Sequence, residues 1–314
     1  MFLKDLPKPF FALAPMDDVT DVVFRQIVAD CAKPDLFFTE FVNVDGLQSV
    51  GRPRLLKKIC LAAGEWPVIA QVWGKKPDNF YKTTQELIEM GFAGVDINMG
   101  CPIKAVVNNG CGSGLIKEPA LAVEIIKAVQ AGAAGRVPIS VKTRLGFNSV
   151  DFSWHETLLR QNLDMLTVHG RTRQEMSKVP ADWQKIGAVR KLRDQISPQT
   201  LIVGNGDVLT RQQGLDLAKM YGLDGVMIGR GIFHDPFAFA AETPWPQFTK
   251  EQKVALYAKH VQLFAETWTD LDRPVEMLNK FCKIYINGFD DAKELREELM
   301  ACKSATELLA VLAG

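Results

Sequence analysis

The stretch "VIAQVWGKKPDNFYKTTQELIEMGFAGVDINMG", residues 68–100, decides the fold. It opens and closes on short apolar runs, 68–74 and 94–100, that are nearly continuous rather than alternating. Between them, 77–91 carries apolar residues at helical spacing with a polar outer face. Continuous apolar runs suit parallel strands covered on both sides. The stretch therefore reads as strand, helix, strand: one βαβ unit.

The same pattern recurs outward in both directions. "FFALAPM" 10–16 and "LFFTEFV" 36–42 precede it, and "PISVKTR" 138–144, "MLTVHGR" 165–171, "TLIVGNG" 200–206 and "GVMIGRG" 225–231 follow. Helical patterns fill the gaps at 119–132, 182–195 and 210–220. Eight such units predict an α/β protein built as a closed (β/α)8 TIM barrel. From 245 the pattern changes. "PWPQFT" reads as a Pro-rich hinge, and Thr249 as the N-cap of a helix over 250–268. Helices are expected at 274–286, 290–302 and 304–312, bundled through Leu295, Leu299, Leu308 and Leu312. The expected organisation is a barrel domain, 1–244, followed by an all-helical domain, 245–314.

Composition narrows the function. The 314 residues are 47% hydrophobic and 24% charged, enough for a sizeable core. Lys plus Arg and Asp plus Glu both total 37, so any polyanion site depends on local clustering. Six cysteines without a CxxC pair read as reduced thiols, and four scattered histidines make a metal site unexpected. Neither a signal-peptide h-region nor an apolar run of membrane-spanning length is present, so a cytoplasmic protein is expected.

The strand ends carry the chemistry. The runs finish at or beside Pro15–Met16, Glu40, Gln71, Asn98, Lys142, His169, Asn205 and Arg230, which a barrel would gather at its C-terminal mouth. "VGNGDV" 203–208 and "GVMIGRG" 225–231 end in Gly-rich turns with bare N–H groups, a common phosphate site after strands seven and eight, with Arg230 for charge. Lys142 stands among apolar neighbours and needs a partner or a task. Schiff-base catalysis is one task; facing the N1–C2=O edge of a reduced flavin is another. The amide of Gln71 suits the opposite, pyrimidine-like edge of such a ring. Cys101, in "DINMGCPIK" 96–104, follows the fourth strand directly and opens a Pro-stiffened loop. An unactivated thiol is mostly protonated at neutral pH and can act as a general acid. Cys111, flanked by glycines in the same loop, ranks second. Cys31, Cys60, Cys282 and Cys302 fall on helical patterns and read as packing.

Together "LAPMDDVTD", "TEFV", "AQVWG", "DINMGCPIKAVVNNGCGSGL", "VKTRLGF", "VHGRTR", "VGNGDV" and "MIGRG" resemble the dihydrouridine synthases, FMN-dependent tRNA-modifying enzymes. The resemblance spans nearly the whole chain. It implies FMN held by Ala14, Pro15, Met16, Gln71, Lys142, His169, Asn205, Gly206, Asp207, Gly229 and Arg230. It implies Cys101 as proton donor to uracil C5, with Asn98 beside it as a second catalytic residue facing the target uracil, and hydride delivery to C6. NADPH, or NADH, would recharge the flavin by transient docking, since no Rossmann fingerprint is present. The partner would be tRNA, the state a monomer, and the C-terminal helices the part that holds the RNA. Residues 245–314 contain nine Lys and Arg against eleven Asp and Glu, so binding there must be local. Lys104, Arg171, Arg273, Lys280 and Lys283 are the expected RNA contacts, with "RPRLLKK" 52–58 as a further basic face. Cys111 is unusual for the family loop.

Three other readings fit parts of the sequence. A flavin barrel acting on a free pyrimidine would turn over uracil without RNA. A lysine-dependent aldolase would be trapped by borohydride at Lys142. An RNA-binding protein without catalysis would be indifferent to Cys101→Ala.

Overall fold

The computed structural model describes residues 2–269 and 273–314. All eight apolar runs form strands: β1 (Phe10–Leu13), β2 (Phe37–Asn43), β3 (Val68–Trp73), β4 (Gly94–Met99), β5 (Ile139–Arg144), β6 (Met165–His169), β7 (Leu201–Asn205) and β8 (Gly225–Ile228). Most stop one to three residues before the sequence runs do, because the Gly and Pro residues at the run ends belong to the mouth turns.

The strands are all parallel and lie in the order β1-β8-β7-β6-β5-β4-β3-β2. The sheet curls until its ends approach: Leu36 N–H donates to Phe11 O at 3.1 Å, and Leu13 N–H to Leu36 O at 3.0 Å. Register then sets the site. Asn98 pairs with Lys142, Arg144 with His169, and His169 with Asn205, so these strand-end residues stand at neighbouring levels.

Helices α1 (Val22–Ala32), α2 (Val44–Leu47), α3 (Arg52–Leu56), α4 (Pro77–Glu89), α5 (Lys104–Asn108), α6 (Pro119–Ala133), α7 (Phe152–Leu159), α8 (Trp183–Ile196) and α9 (Arg211–Tyr221) connect the strands. Their starts follow local chemistry. Asp21, Asp151, Asp182 and Thr210 cap α1, α7, α8 and α9 by accepting backbone N–H groups, and proline opens α4 and α6. Successive strand residues alternate between two cores. Phe10 and Ala12 join the apolar cluster enclosed by the sheet, whereas Phe11 and Leu13 join the one beneath the helices.

Beyond 245 the described residues form only helices: a 3-10 turn at Trp245–Gln247, α10 (Lys250–Thr267), a 3-10 turn at Val275–Leu278, α11 (Asn279–Tyr285), α12 (Ala292–Ala301) and α13 (Ala305–Ala313). Thr249 caps α10 in a capping box with Gln252. The segment read as one helix over 274–286 is divided between a 3-10 turn and α11. Leu299, Leu308 and Leu312 are buried as expected, and Leu295 partly so. These helices pack on α1, where the Phe24 ring lies 4.8 Å from Phe281 and 5.8 Å from His260. Cys31 and Cys282 lie on helices. Cys60 does not: it follows the 3-10 turn Lys57–Ile59, and Cys302 ends α12.

Candidate functional site

The C-terminal ends of β1, β5, β6, β7 and β8 surround a cavity of about 650 Å³. Ten residues expected at a cofactor line it: Ala14, Pro15, Met16, Lys142, His169, Asn205, Gly206, Asp207, Gly229 and Arg230. The eleventh, Gln71, is fully buried and does not. Gly206 adopts φ of +133°, and a Cβ there would lie 2.6 Å from Ala181, so the turn requires glycine. A Cβ at Gly229 would make only ordinary contacts, with Ala14 at 3.5 Å and Met16 at 4.0 Å. The bare backbone of Gly229 is free to approach a ligand.

The cavity wall is cationic. Lys142, Arg144 and Arg230 line it, and Arg171 stands behind His169, with Nη1 3.2 Å from His169 Nε2. Burial, with Arg144 nearby, lowers the Lys142 ammonium to about 8. Burial and the surrounding cations, Lys142 foremost, hold His169 well below its ordinary range, so the imidazole is neutral at pH 7. Burial works against the Asp207 carboxylate, yet its hydrogen bond to Arg171 keeps its pKa below the ordinary value. Arg144 escaped the sequence reading. It lies two residues after Lys142, hence on the same strand face, and that period could have exposed it.

Beside the cavity sits Cys101, 8% exposed, in an apolar nook with Val106, Cys111, Phe41 and Trp73. A chain of buried polar groups fixes its loop. Ser140 Oγ donates to Asp96 Oδ1 at 2.6 Å, Gln71 Nε2 to Asp96 Oδ2 at 2.7 Å, and Asn98 Nδ2 to Gln71 Oε1 at 2.9 Å. Asn98 Oδ1 then accepts the N–H groups of Gly100 and Cys101. Asn98 is thus an anchor for the loop rather than a free amide. Arg144 Nε donates to Gly100 O at 2.7 Å, and Ser113 to Cys101 O at 2.9 Å. Burial raises the Cys101 thiol above its ordinary value, against the opposing pull of Ile103 N–H and Arg144. It is a proton holder, not a thiolate. Burial pushes Cys111 to about 11.

The expected RNA contacts divide. Lys104, Lys280 and Lys283 are exposed, and the latter two line a hollow of about 700 Å³ that shares Phe233 and His234 with the first cavity. Arg171 and Arg273 are buried and paired within the chain. Arg171 is 3% exposed and bonded to Asp207; Arg273 is 4% exposed and bonded to Glu40. Local charge in the sequence does not reveal such distant partners. In "RPRLLKK", Arg52 pairs with Glu86, and Lys58 with Asp17, Asp18 and Glu40. Those last three carboxylates approach within metal-ligand reach of one another, and the Lys58 ammonium pairs with all of them.

The profile of the family described as "Dihydrouridine synthase (Dus)" matches residues 12–313. The "Probable tRNA-dihydrouridine synthase 2" of Bacillus subtilis (strain 168) is 47% identical over 315 residues, covering 99% of this chain and 95% of that protein. The "Probable tRNA-dihydrouridine synthase" of Staphylococcus aureus (strain Mu50) is 46% identical over 314 residues, covering 99% and 94%. A solved structure of a morphinone reductase mutant in complex with tetrahydroNAD shares the fold. Its TM-score is 0.54 at 11% identity, over 79% of this chain and 92% of that one.

Proposed function

The chain belongs to the dihydrouridine synthase family, and on that premise we propose that it reduces the C5=C6 bond of uridines in tRNA. FMN is the resident cofactor in this reading, and NADPH, or NADH, the reductant. The observation that carries it is the adjacency of a cationic, glycine-floored cavity to one anchored, protonated thiol.

The cavity residues fit the cofactor. The turns at Gly206 and Gly229 offer backbone N–H groups, and Arg230 offers charge, to a phosphate. Lys142, which lines the cavity, would oppose negative charge on the bound ring. When bound, FMN supplies the hydride that C6 receives.

The remaining steps belong to the chain. Phe41 and Trp73 wall the nook beside Cys101 and exclude water from a pyrimidine placed there. Charge that develops at C5 and O4 is quenched by the Cys101 proton, delivered from Sγ to C5. Asn98, held through Gln71 and Asp96, keeps that sulfur in place. Folded RNA can present the base only after it leaves its stack. Lys104, Lys280 and Lys283, all exposed, are the cations this reading assigns to the RNA backbone. We read residues 1–244 as a closed (β/α)8 barrel and 245–314 as the helical domain that holds the RNA, in a monomer working in the cytoplasm.

The test incubates FMN-loaded protein and NADPH with unmodified tRNA, unmodified rRNA or free uracil, and reads the gain of two hydrogens by mass spectrometry. Dihydrouridine in tRNA alone is expected. Turnover of free uracil without RNA, or of rRNA alone, would sink the reading.

A further inference from the structure

Glu40, in the "TEFV" motif of β2, is fully buried, and the proposed chemistry does not use it. Its two oxygens serve different parts of the chain. Oε1 accepts the backbone N–H of Asp18 at 2.7 Å, in the loop that begins with the cavity-lining Ala14, Pro15 and Met16. Oε2 accepts from Nη2 of Arg273 at 2.5 Å, and Arg273 belongs to the C-terminal helical segment. Asp18 is held a second time, because Lys280 of α11 donates from Nζ to its carbonyl oxygen at 2.8 Å. Its φ of 57° is a backbone state that a non-glycine residue keeps only where its surroundings impose it.

We propose that Glu40 is a positioning residue: it holds the cofactor-lining loop after β1 in place, and Arg273 supplies its counter-charge from the C-terminal helices. The inference rests on the flavin reading of the cavity. A buried carboxylate persists only with a partner, and Arg273 answers both Glu40 and Asp21, the latter at 3.6 Å. Asp21 caps α1. One guanidinium thus joins β2, the start of α1 and the C-terminal helices around a single short loop. Freed from Glu40, the Asp18 backbone loses its imposed conformation. The cavity wall two to four residues earlier then loses its fixed shape.

The test titrates FMN into the apoproteins of the wild type, Glu40→Met, Glu40→Gln and Lys280→Met, following flavin fluorescence, with thermal unfolding of each apoprotein alongside. Glu40→Met removes the bonds to Asp18 and Arg273, and with them the longer Lys58 contact at 3.5 Å, and is expected to weaken FMN binding tenfold or more. Glu40→Gln keeps an oxygen for the Asp18 N–H and is expected to recover most of that affinity, although it lacks the charge for Arg273. Lys280→Met, a surface change, is expected to weaken FMN binding at unchanged melting temperature. Equal affinity in all four proteins overturns the positioning role, as does affinity that merely follows melting temperature. Should Glu40→Met not fold, unchanged binding by Lys280→Met overturns it alone. A wild type that binds no FMN overturns the flavin reading instead.

Discussion

Asn98 Oδ1 accepts the backbone N–H of Cys101 at 2.9 Å, so the penultimate residue of β4 sets the direction in which the following loop presents its thiol. Asn98→Ala leaves two buried N–H groups, those of Gly100 and Cys101, without their acceptor. The expected loss of stability is about 1–3 kcal/mol. Dihydrouridine formation should fall about a hundredfold through misplacement of the sulfur, while NADPH reduces the flavin at the wild-type rate. Stopped-flow flavin reduction and single-turnover product formation separate the two effects. Equal losses in both would contradict a role confined to the thiol.

Cys101→Ala should leave FMN bound and reducible yet lower product formation by about 10²–10⁴-fold, the range for a lost general acid. Cys111→Ala should retain near-normal turnover. Its sulfur lies 3.6 Å from Asn109 O, beyond α5 and away from the Asn98 anchor that fixes Cys101. Full activity in Cys101→Ala would move the role elsewhere.

FMN affinity should depend on the proton of Lys142. In the free protein that ammonium titrates near 8, against 10.5 for an unhindered lysine. An anionic ligand requires the charged form. Affinity should therefore be flat below about pH 8 and weaken above it, approaching tenfold per pH unit. Stability of the apoprotein moves the other way between these two values, because there the unfolded chain holds a proton that the folded one lacks. Lys142→Met should abolish the pH dependence in calorimetric titrations of FMN.

Acid should unfold the protein through its buried histidines. Burial lowers His155 to about 4 and His260 to about 3, whereas both titrate near 6.5 when unfolded. The unfolded chain then binds the extra protons. Stability should fall as pH drops from 6.5 towards 4, by at most about 1.4 kcal/mol per unit for each histidine. Asp96, raised to about 6 by burial, acts in the opposite sense below that value and offsets part of the loss. Urea titrations at several pH values should show a shallower slope for His260→Phe. An unchanged slope would remove His260 from the account.

The strands and helices were legible because each rests on local periodicity and local caps. Thr249 and the glycines of the last two mouth turns are examples, each readable from a few neighbours. Roles decided by distant partners were not legible. Arg273 reads as a free cation until Glu40, 233 residues earlier, is seen against it. Arg171 reads likewise until Asp207 closes on it. Gln71 was singled out for its amide, but both ends of that amide meet Asp96 and Asn98, neighbours that only the strand register supplies. Phe41 and Trp73 stand within the motifs "TEFV" and "AQVWG", yet neither was singled out, since aromatic residues at strand ends look like ordinary core.

The Glu40–Arg273 pair also constrains how such chains recombine. A chimaera spliced near residue 245 divides the two charges between parents, although the splice falls in an inviting Pro-rich joint. A donor tail without an arginine at the matching place leaves the buried Glu40 carboxylate with only the longer Lys58 contact. Grafts that carry both members across together should express and melt as their parents do.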